Sequence, residues 1–386
     1  MKKAPKPLFV RQPADWEYLL FALLLLAVGL FMLFSASYPS AYYETGNPYY
    51  YVFRQLRFAA LGIILMLFIG KLDYNWWKHF AVPLLLLAFA LLGAVLIPGI
   101  GVLRNNARRW IIVAGFSFQP SELAKLAIIV DFSASIAKKK EKMLTFRDGI
   151  LPYVGTLLLF AGLLMLEPHL SGTILVVMIG AALMYAGGIR KRWVFIGIAV
   201  VAFFAWLFIS GHIPYGQNRI AMWQDPFIDA SGDGYQLAQS QISIGSGGLL
   251  GVGFGKSRQK FLYLPEEHND FIFSVICEEV GLIGAALIML MFSLFIIHGY
   301  TIARHAKDPF GALLATGVTT HFALQTFMNI GVVTGLLPTT GVSLPFFSYG
   351  GTALVLQLVE VGIVLSVSRQ CRKGEKNEAD TANSHH

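Results

Sequence analysis

The run Tyr263-Leu264-Pro265-Glu266-Glu267-His268-Asn269-Asp270-Phe271-Ile272-Phe273 sets three acids and a histidine immediately ahead of a long apolar stretch. Asp270 stands at the junction itself. An acid held there can do chemistry on a substrate whose head is in water and whose tail is in lipid. A second cluster, Arg104, Arg108 and Arg109, crowds the short region 99–119. Guanidinium forks are well shaped for phosphate or pyrophosphate, although a solvated loop with an interfacial anchor would use the same residues. Lys125 lies a turn inside another apolar stretch, three residues after Glu122, so the two share one helix face. The pair can simply neutralise itself, yet an intramembrane ionisable residue is a functional candidate by default. Glu167 opens the turn Glu167-Pro168-His169-Leu170-Ser171-Gly172-Thr173, in which Pro168 suits a helix break and Ser171 a helix start. A capped turn explains most of those residues, but Glu167 still brings a carboxylate to the membrane face expected for Asp270. His268 has no second His or Cys at metal-ligand spacing, so no zinc site is expected.

These residues must be positioned by membrane helices. The 386-residue chain is 56% hydrophobic and 13% charged, with a mean hydropathy of +0.62. A water-soluble domain cannot bury that much apolar surface, so the chain reads as all-α and polytopic. Apolar stretches predict about ten transmembrane helices, near 16–35, 54–70, 80–98, 120–137, 150–166, 171–188, 193–211, 271–299, 311–335 and 349–368. With the N-terminus inside, most of the 30 Lys and Arg fall in cytoplasmic segments. The net charge of +8 is then a topology signal, and nucleic-acid binding is set aside. The expected organisation is a cytoplasmic N-terminus, 1–15, a membrane domain, 16–368, and a polar cytoplasmic tail, 369–386. The longest extracytoplasmic loop, 212–270, joins helices 7 and 8. Cys277 is expected inside the eighth span and Cys371 in the cytoplasmic tail, so no disulfide is expected.

A loop that long is uncommon without a task. Within it, 234–246 alternates apolar and amide residues and suits a short interfacial helix. The glycines at 245–255 allow close backbone turns. Gly251–Ser257 reads GVGFGKS but lacks the first glycine of a phosphate-binding loop, because Leu250 stands there. The external Tyr-rich region 36–53 reads as an aromatic belt. His321, Gln325 and Asn329 recur at one-turn spacing, and Gln357 and Glu360 follow on the last helix. Such stripes usually join helices by hydrogen bonds.

Three signatures carry a family resemblance. They are Phe118-Gln119-Pro120-Ser121-Glu122-Leu123-Ala124-Lys125-Leu126; Leu264-Pro265-Glu266 through Asp270-Phe271; and Asn329 through Pro338, followed by Gly341 through Gly351. Together they resemble the SEDS family of shape, elongation, division and sporulation proteins, which includes FtsW, RodA and SpoVE. The resemblance runs from about 16 to 368, and the stretch 257–265 looks closer to FtsW and SpoVE than to RodA. His169 departs from the acid common at its position, and Asn269 from the commoner Thr.

The resemblance implies a peptidoglycan glycosyltransferase of the bacterial cytoplasmic membrane, with both termini cytoplasmic. It would polymerise lipid II into β-1,4 glycan strands on the outer face, in cell division or sporulation. The implied partners are lipid II, the growing glycan strand, a class B penicillin-binding protein acting as transpeptidase, and other division or sporulation membrane proteins. Asp270 matches the essential loop acid, and Arg109 and Lys125 match positions associated with activity. Arg108, Glu167, Glu266 and His268 complete the candidate substrate-binding set. No resident cofactor is required, and a divalent cation such as Mg or Mn is left open. Two other classes compete: a lipid II flippase, and a non-catalytic scaffold of the division complex. A flippase should line a midplane path with charge, whereas Arg109, Glu167 and Asp270 are all expected outside.

Overall fold

The computed structural model describes residues 13–104, 107–113, 115–197, 199 and 217–371. Six described helical segments are long and apolar enough to cross a membrane: Trp16–Thr45, Tyr50–Ile69, Tyr74–Val95, Phe146–Leu166, Ile272–Arg304 and Gly351–Ser368. The helices are α1 (Trp16–Thr45), α2 (Tyr50–Ile69), α3 (Trp77–Val95), α4 (Pro120–Lys139), a short α5 (Phe146–Gly149), α6 (Leu151–Leu166) and α7 (Leu170–Ala186). The long loop contributes α8 (Gln217–Gln224) and α9 (Tyr235–Gly247), and the chain ends with α10 (Ile272–Arg304), α11 (Pro309–Val333) and α12 (Gly351–Ser368). Nine of the ten expected spans coincide with helices. The tenth, 193–211, lies mostly outside the described residues, and so do the termini 1–12 and 372–386. The polar α4 and α11 run through the bundle core, with Leu126, Ile128, Phe132, Leu314, Val318 and Phe322 buried.

The structure departs from the expected spans at α1. Asp15 caps its start by accepting from the Tyr18 N–H at 3.0 Å, and the helix ends only at Gly46, whose φ of 72° is left-handed. Thirty residues span about 45 Å, well beyond a hydrocarbon core of about 30 Å. Tyr38, Tyr42 and Tyr43 therefore ride an extension of α1, and the loop to α2 is short.

The region 99–119, expected as an external loop, is built as strands. Gly101–Arg104 (β1), Ala107–Val113 (β2) and Phe116–Phe118 (β3) form an antiparallel sheet in the order β1-β2-β3. The aromatic and β-branched run Trp110-Ile111-Ile112-Val113 favours that state. Thr352 Oγ1 donates to Ser117 O at 3.0 Å and ties the sheet to α12.

The helix read at 234–246 forms as α9, but it is packed into the protein, with Leu237, Ala238, Ser240 and Ser243 buried. The glycines that follow dock on a kink in α10 at Gly281, whose φ is 67°. Val252 and Gly253 donate to the carbonyls of Glu278 and Glu279 at 2.9 and 3.1 Å, and Leu282 and Ile283 donate back to Gly248 and Leu249. Gly251 and Gly281 touch backbone to backbone, leaving no room for a Cβ on either.

Candidate functional site

Asp270 lies in the turn ahead of α10, and that turn is held through three successive carbonyls. Tyr349 N–H donates to His268 O at 2.9 Å. Ser348 Oγ donates to Asn269 O at 2.7 Å. Asn329 Nδ2 donates to Asp270 O at 2.7 Å and to Val342 O at 2.6 Å. The acid's main chain is thus fixed by α11 and by a strap, 341–350, that crosses beneath it. The strap is itself held, with Gln55 Nε2 donating to Ser348 O at 3.1 Å and Phe346 N–H to Gln357 Oε1 at 3.0 Å. Gly341, at a φ of 66°, lets the carboxylate lie against the strap: a Cβ there would sit 3.1 Å from Asp270 Oδ2.

Burial raises the Asp270 carboxyl to about 6, and the Glu266 charge adds to the rise, while Arg109 and His268 oppose it. At neutral pH the group is still ionised, but it is more basic than a solvated aspartate. That balance suits a general base.

Arg109 comes from β2 at an irregularity in the ladder: Val102 pairs with Trp110 and Leu103 with Arg108, which leaves Arg109 as the extra residue between them. Arg109 Nε donates to Glu167 O at 3.3 Å, and its Nη2 donates to Pro168 O. The guanidinium is therefore seated at the α6–α7 turn while its charge acts on Asp270, Glu167 and His169. The side chain of Arg104 lies outside the described residues.

Glu167 is only 1% exposed, and neither carboxylate oxygen has a hydrogen-bond partner among the described residues. Burial pushes its carboxyl up to about 8 against the pull of Arg109, so at neutral pH it is mostly protonated and is a donor rather than a base. His169 is driven the other way, to about 3, by burial and then by Arg109, and its ring is neutral.

Glu266 adopts a φ of 56° and closes the turn. Its carbonyl accepts from Asn269 N–H and its carboxylate from Asn269 Nδ2. His268 is buried, its ring packed on Tyr51 with centroids 4.5 Å apart and on Tyr349 at 6.0 Å. The structure thus places Glu266 and His268 in the turn's framework, with their charges felt by Asp270. Lys125 sits a layer deeper. Its Nζ is 2.9 Å from Glu122 Oε2 and donates to Gln325 Oε1 at 3.1 Å.

The stripe His321, Gln325 and Asn329 was legible as interhelical polar residues but not as part of the site. Asn329 holds the catalytic candidate's carbonyl, and Gln325 holds both Lys125 and Ser343 of the strap. Only their one-turn spacing, with Asn329 opening the third signature, pointed to them. Around Asp270 the described residues gather no set of three His, Cys, Asp or Glu ligand atoms. The one such group, Asp15, Glu17 and His298, lies at the far end of the bundle.

These features define a multi-helix membrane protein with an acid-and-cation site at one end of the bundle. Residues 15–373 match the model of the FtsW/RodA/SpoVE cell cycle protein family, and the chain belongs to that family. It is 42% identical to stage V sporulation protein E of Bacillus subtilis (strain 168), across 93% of this chain and 98% of that protein. It is 40% identical to a probable peptidoglycan glycosyltransferase FtsW of Geobacter metallireducens, across 93% and 95%. A chain from a solved peptidoglycan synthase complex that coordinates polymerization and crosslinking superposes with a TM-score of 0.78 at 26% identity, covering 94% of this chain and 99% of that one. The rod shape determining protein RodA of Thermus thermophilus superposes at 0.68, also with 26% identity, across 94% and 98%.

Proposed function

We propose that this protein is a peptidoglycan glycosyltransferase of the cytoplasmic membrane that polymerises lipid II into β-1,4 glycan strands. The observation that carries this reading is the Asp270 turn: its main chain is pinned at three carbonyls and its carboxyl is tuned to about 6 beside the Arg109 cation. Pyrophosphate is already a good leaving group, so the chemistry needs mainly a base for the acceptor hydroxyl and positive charge for the departing oxygen. Asp270 takes the proton of the acceptor 4-hydroxyl. That oxygen attacks the donor's anomeric carbon from the face opposite the pyrophosphate, and the electrons of the broken C–O bond leave with the pyrophosphate. An α-linked donor becomes a β-linked product. Arg109 stabilises the charge on the leaving group. Lys125 adds positive potential from below, Arg108 from the sheet rim, and protonated Glu167 offers a hydrogen bond. Glu266 and His268 shape the turn and bias the charge of Asp270.

The Lys and Arg distribution orients this end of the bundle outward, with both termini in the cytoplasm. The site then meets lipid II after its translocation. A sporulation protein and a probable peptidoglycan glycosyltransferase among the relatives, and a solved synthase complex that coordinates polymerization and crosslinking, support a class B penicillin-binding protein as partner.

The test is glycan-strand formation from lipid II by the purified protein with its transpeptidase partner. Asp270→Asn keeps the shape of the side chain and should lower polymerisation by roughly 10²-fold to 10⁴-fold. Equal rates from wild type and a folded Asp270→Asn protein would remove Asp270 as the base.

A further inference from the structure

Below the site, a buried polar chain crosses three helices. Glu122 Oε2 meets Lys125 Nζ on α4 at 2.9 Å. Lys125 Nζ donates to Gln325 Oε1 on α11 at 3.1 Å. His321 Nε2 lies 2.7 Å from the same oxygen, and His321 Nδ1 lies 2.8 Å from Glu360 Oε2 on α12. The His321 and Glu360 side chains are each 1% exposed.

The hydrogens of this chain can be assigned by elimination. Gln325 Nε2 faces Ser343 O at 3.0 Å and Ser343 Oγ at 3.1 Å. A carbonyl can only accept, so the amide nitrogen must face it. The amide oxygen then faces Lys125, which can only donate. Two acceptors do not meet at 2.7 Å, so His321 Nε2 carries a hydrogen. A neutral imidazole with its hydrogen on Nε2 has a bare lone pair on Nδ1. That lone pair would face a carboxylate oxygen at 2.8 Å, again acceptor against acceptor. The contact needs one more proton, on Nδ1 or on Glu360.

We infer that His321 and Glu360 share one proton inside the membrane domain and act as positioning residues that fix Lys125 through Gln325. The pair is neutral as a unit, either as imidazolium with carboxylate or as imidazole with carboxylic acid. Glu122 neutralises Lys125, so the whole chain is electroneutral, as a cluster withdrawn from water requires. The other titratable groups facing the pair are Tyr18 from α1, toward Glu360, and Glu122 from α4, toward His321.

Gln325 uses its amide completely, accepting twice and donating to Ser343, next to the Val342 carbonyl held by Asn329. One face of α11 therefore sets the depth of Lys125 and the height of Asp270 together. The kinetic consequence rests on the polymerase reading, but the shared proton does not.

Two measurements on the full-length protein separate these claims. Isotope-edited infrared spectroscopy and ¹⁵N-histidine NMR read protonation directly. At neutral pH we expect a protonated-carboxyl band that disappears in Glu360→Gln, or an imidazolium signal that disappears in His321→Gln. An ionised Glu360 beside a neutral His321 would overturn the shared proton, whether or not the protein polymerises lipid II. For positioning, Glu360→Gln can donate from its amide to His321 Nδ1, whereas Glu360→Leu cannot. We expect kcat to fall roughly 10-fold to 100-fold in Gln325→Leu and Glu360→Leu, a size typical of lost positioning, and to recover with Glu360→Gln. Wild-type rates in a folded Glu360→Leu protein, or no recovery with Glu360→Gln, would overturn the positioning role.

Discussion

Glu278 and Asp270 stand at the head of the same helix and are built in opposite ways. Glu278 is wrapped by donors from the long loop: Ser257 Oγ at 2.6 Å, Arg258 N–H at 2.8 Å, Ser243 Oγ at 3.1 Å and Gln259 N–H at 3.4 Å. Its neighbour Glu279 is equally occupied, by Lys260 Nζ at 2.8 Å and Ser35 Oγ at 2.7 Å. Asp270 has its main chain held at a carbonyl by Asn329, while its carboxylate stands outside that set of bonds. A saturated buried acid fastens a loop. An acid whose backbone is fixed and whose carboxylate is tuned by burial and neighbouring charge is preorganised for a ligand.

Breaking the loop anchor should cost stability. Lys260→Met leaves the buried Glu279 charge with the Ser35 hydroxyl but no cation, with an expected loss of about 3–5 kcal/mol in unfolding free energy, read as a lower midpoint in thermal or denaturant unfolding. A variant as stable as wild type would mean that the long loop is not fastened through this pair. Breaking the acid's support should cost rate instead. Asn329→Leu removes the bond to Asp270 O and should lower polymerisation roughly 10-fold to 100-fold in protein that remains folded. Gly341→Ala is smaller again. It strains a φ of 66° and presses a methyl on Asp270 Oδ2, and steady-state kinetics should show a few-fold fall in kcat, within the limit of about 100-fold for a misplaced catalytic group. The smallest expected effect is that of Glu266→Gln. It keeps an oxygen for Asn269 but removes a charge that raises the Asp270 pKa, so the midpoint of the pH–rate profile should move down.

The sequence carried the helices and the acid for the same reason. Long apolar runs are the strongest pattern a chain can show, and a charged residue at the end of one stands out, as Asp270 and Lys125 do. Helix α9 was visible in its alternation of apolar and amide residues. The β1–β3 sheet was hidden because its strands are short and its arginines suggested a solvated loop. The extension of α1 was hidden because its tyrosines read equally well as a belt. The docking of Gly251 on Gly281 and the strap under Asp270 depend on contacts between distant segments, for which local spacing holds no signal. Asn329 and Gln325 were seen as a stripe, but which carbonyls they hold is decided by tertiary packing alone. The span at 193–211 falls mainly outside the described residues.

The central claim is that the Asp270 carboxylate works as a base. Its pKa is raised, so its ionised form fills in only as pH climbs through about 6. The direct measurement is kcat/KM for glycan polymerisation against pH, in folded wild-type protein with its transpeptidase partner. The account predicts a rate that rises with pH to a plateau, with its midpoint near 6. A profile flat through that region, or one that falls as pH rises, would contradict it.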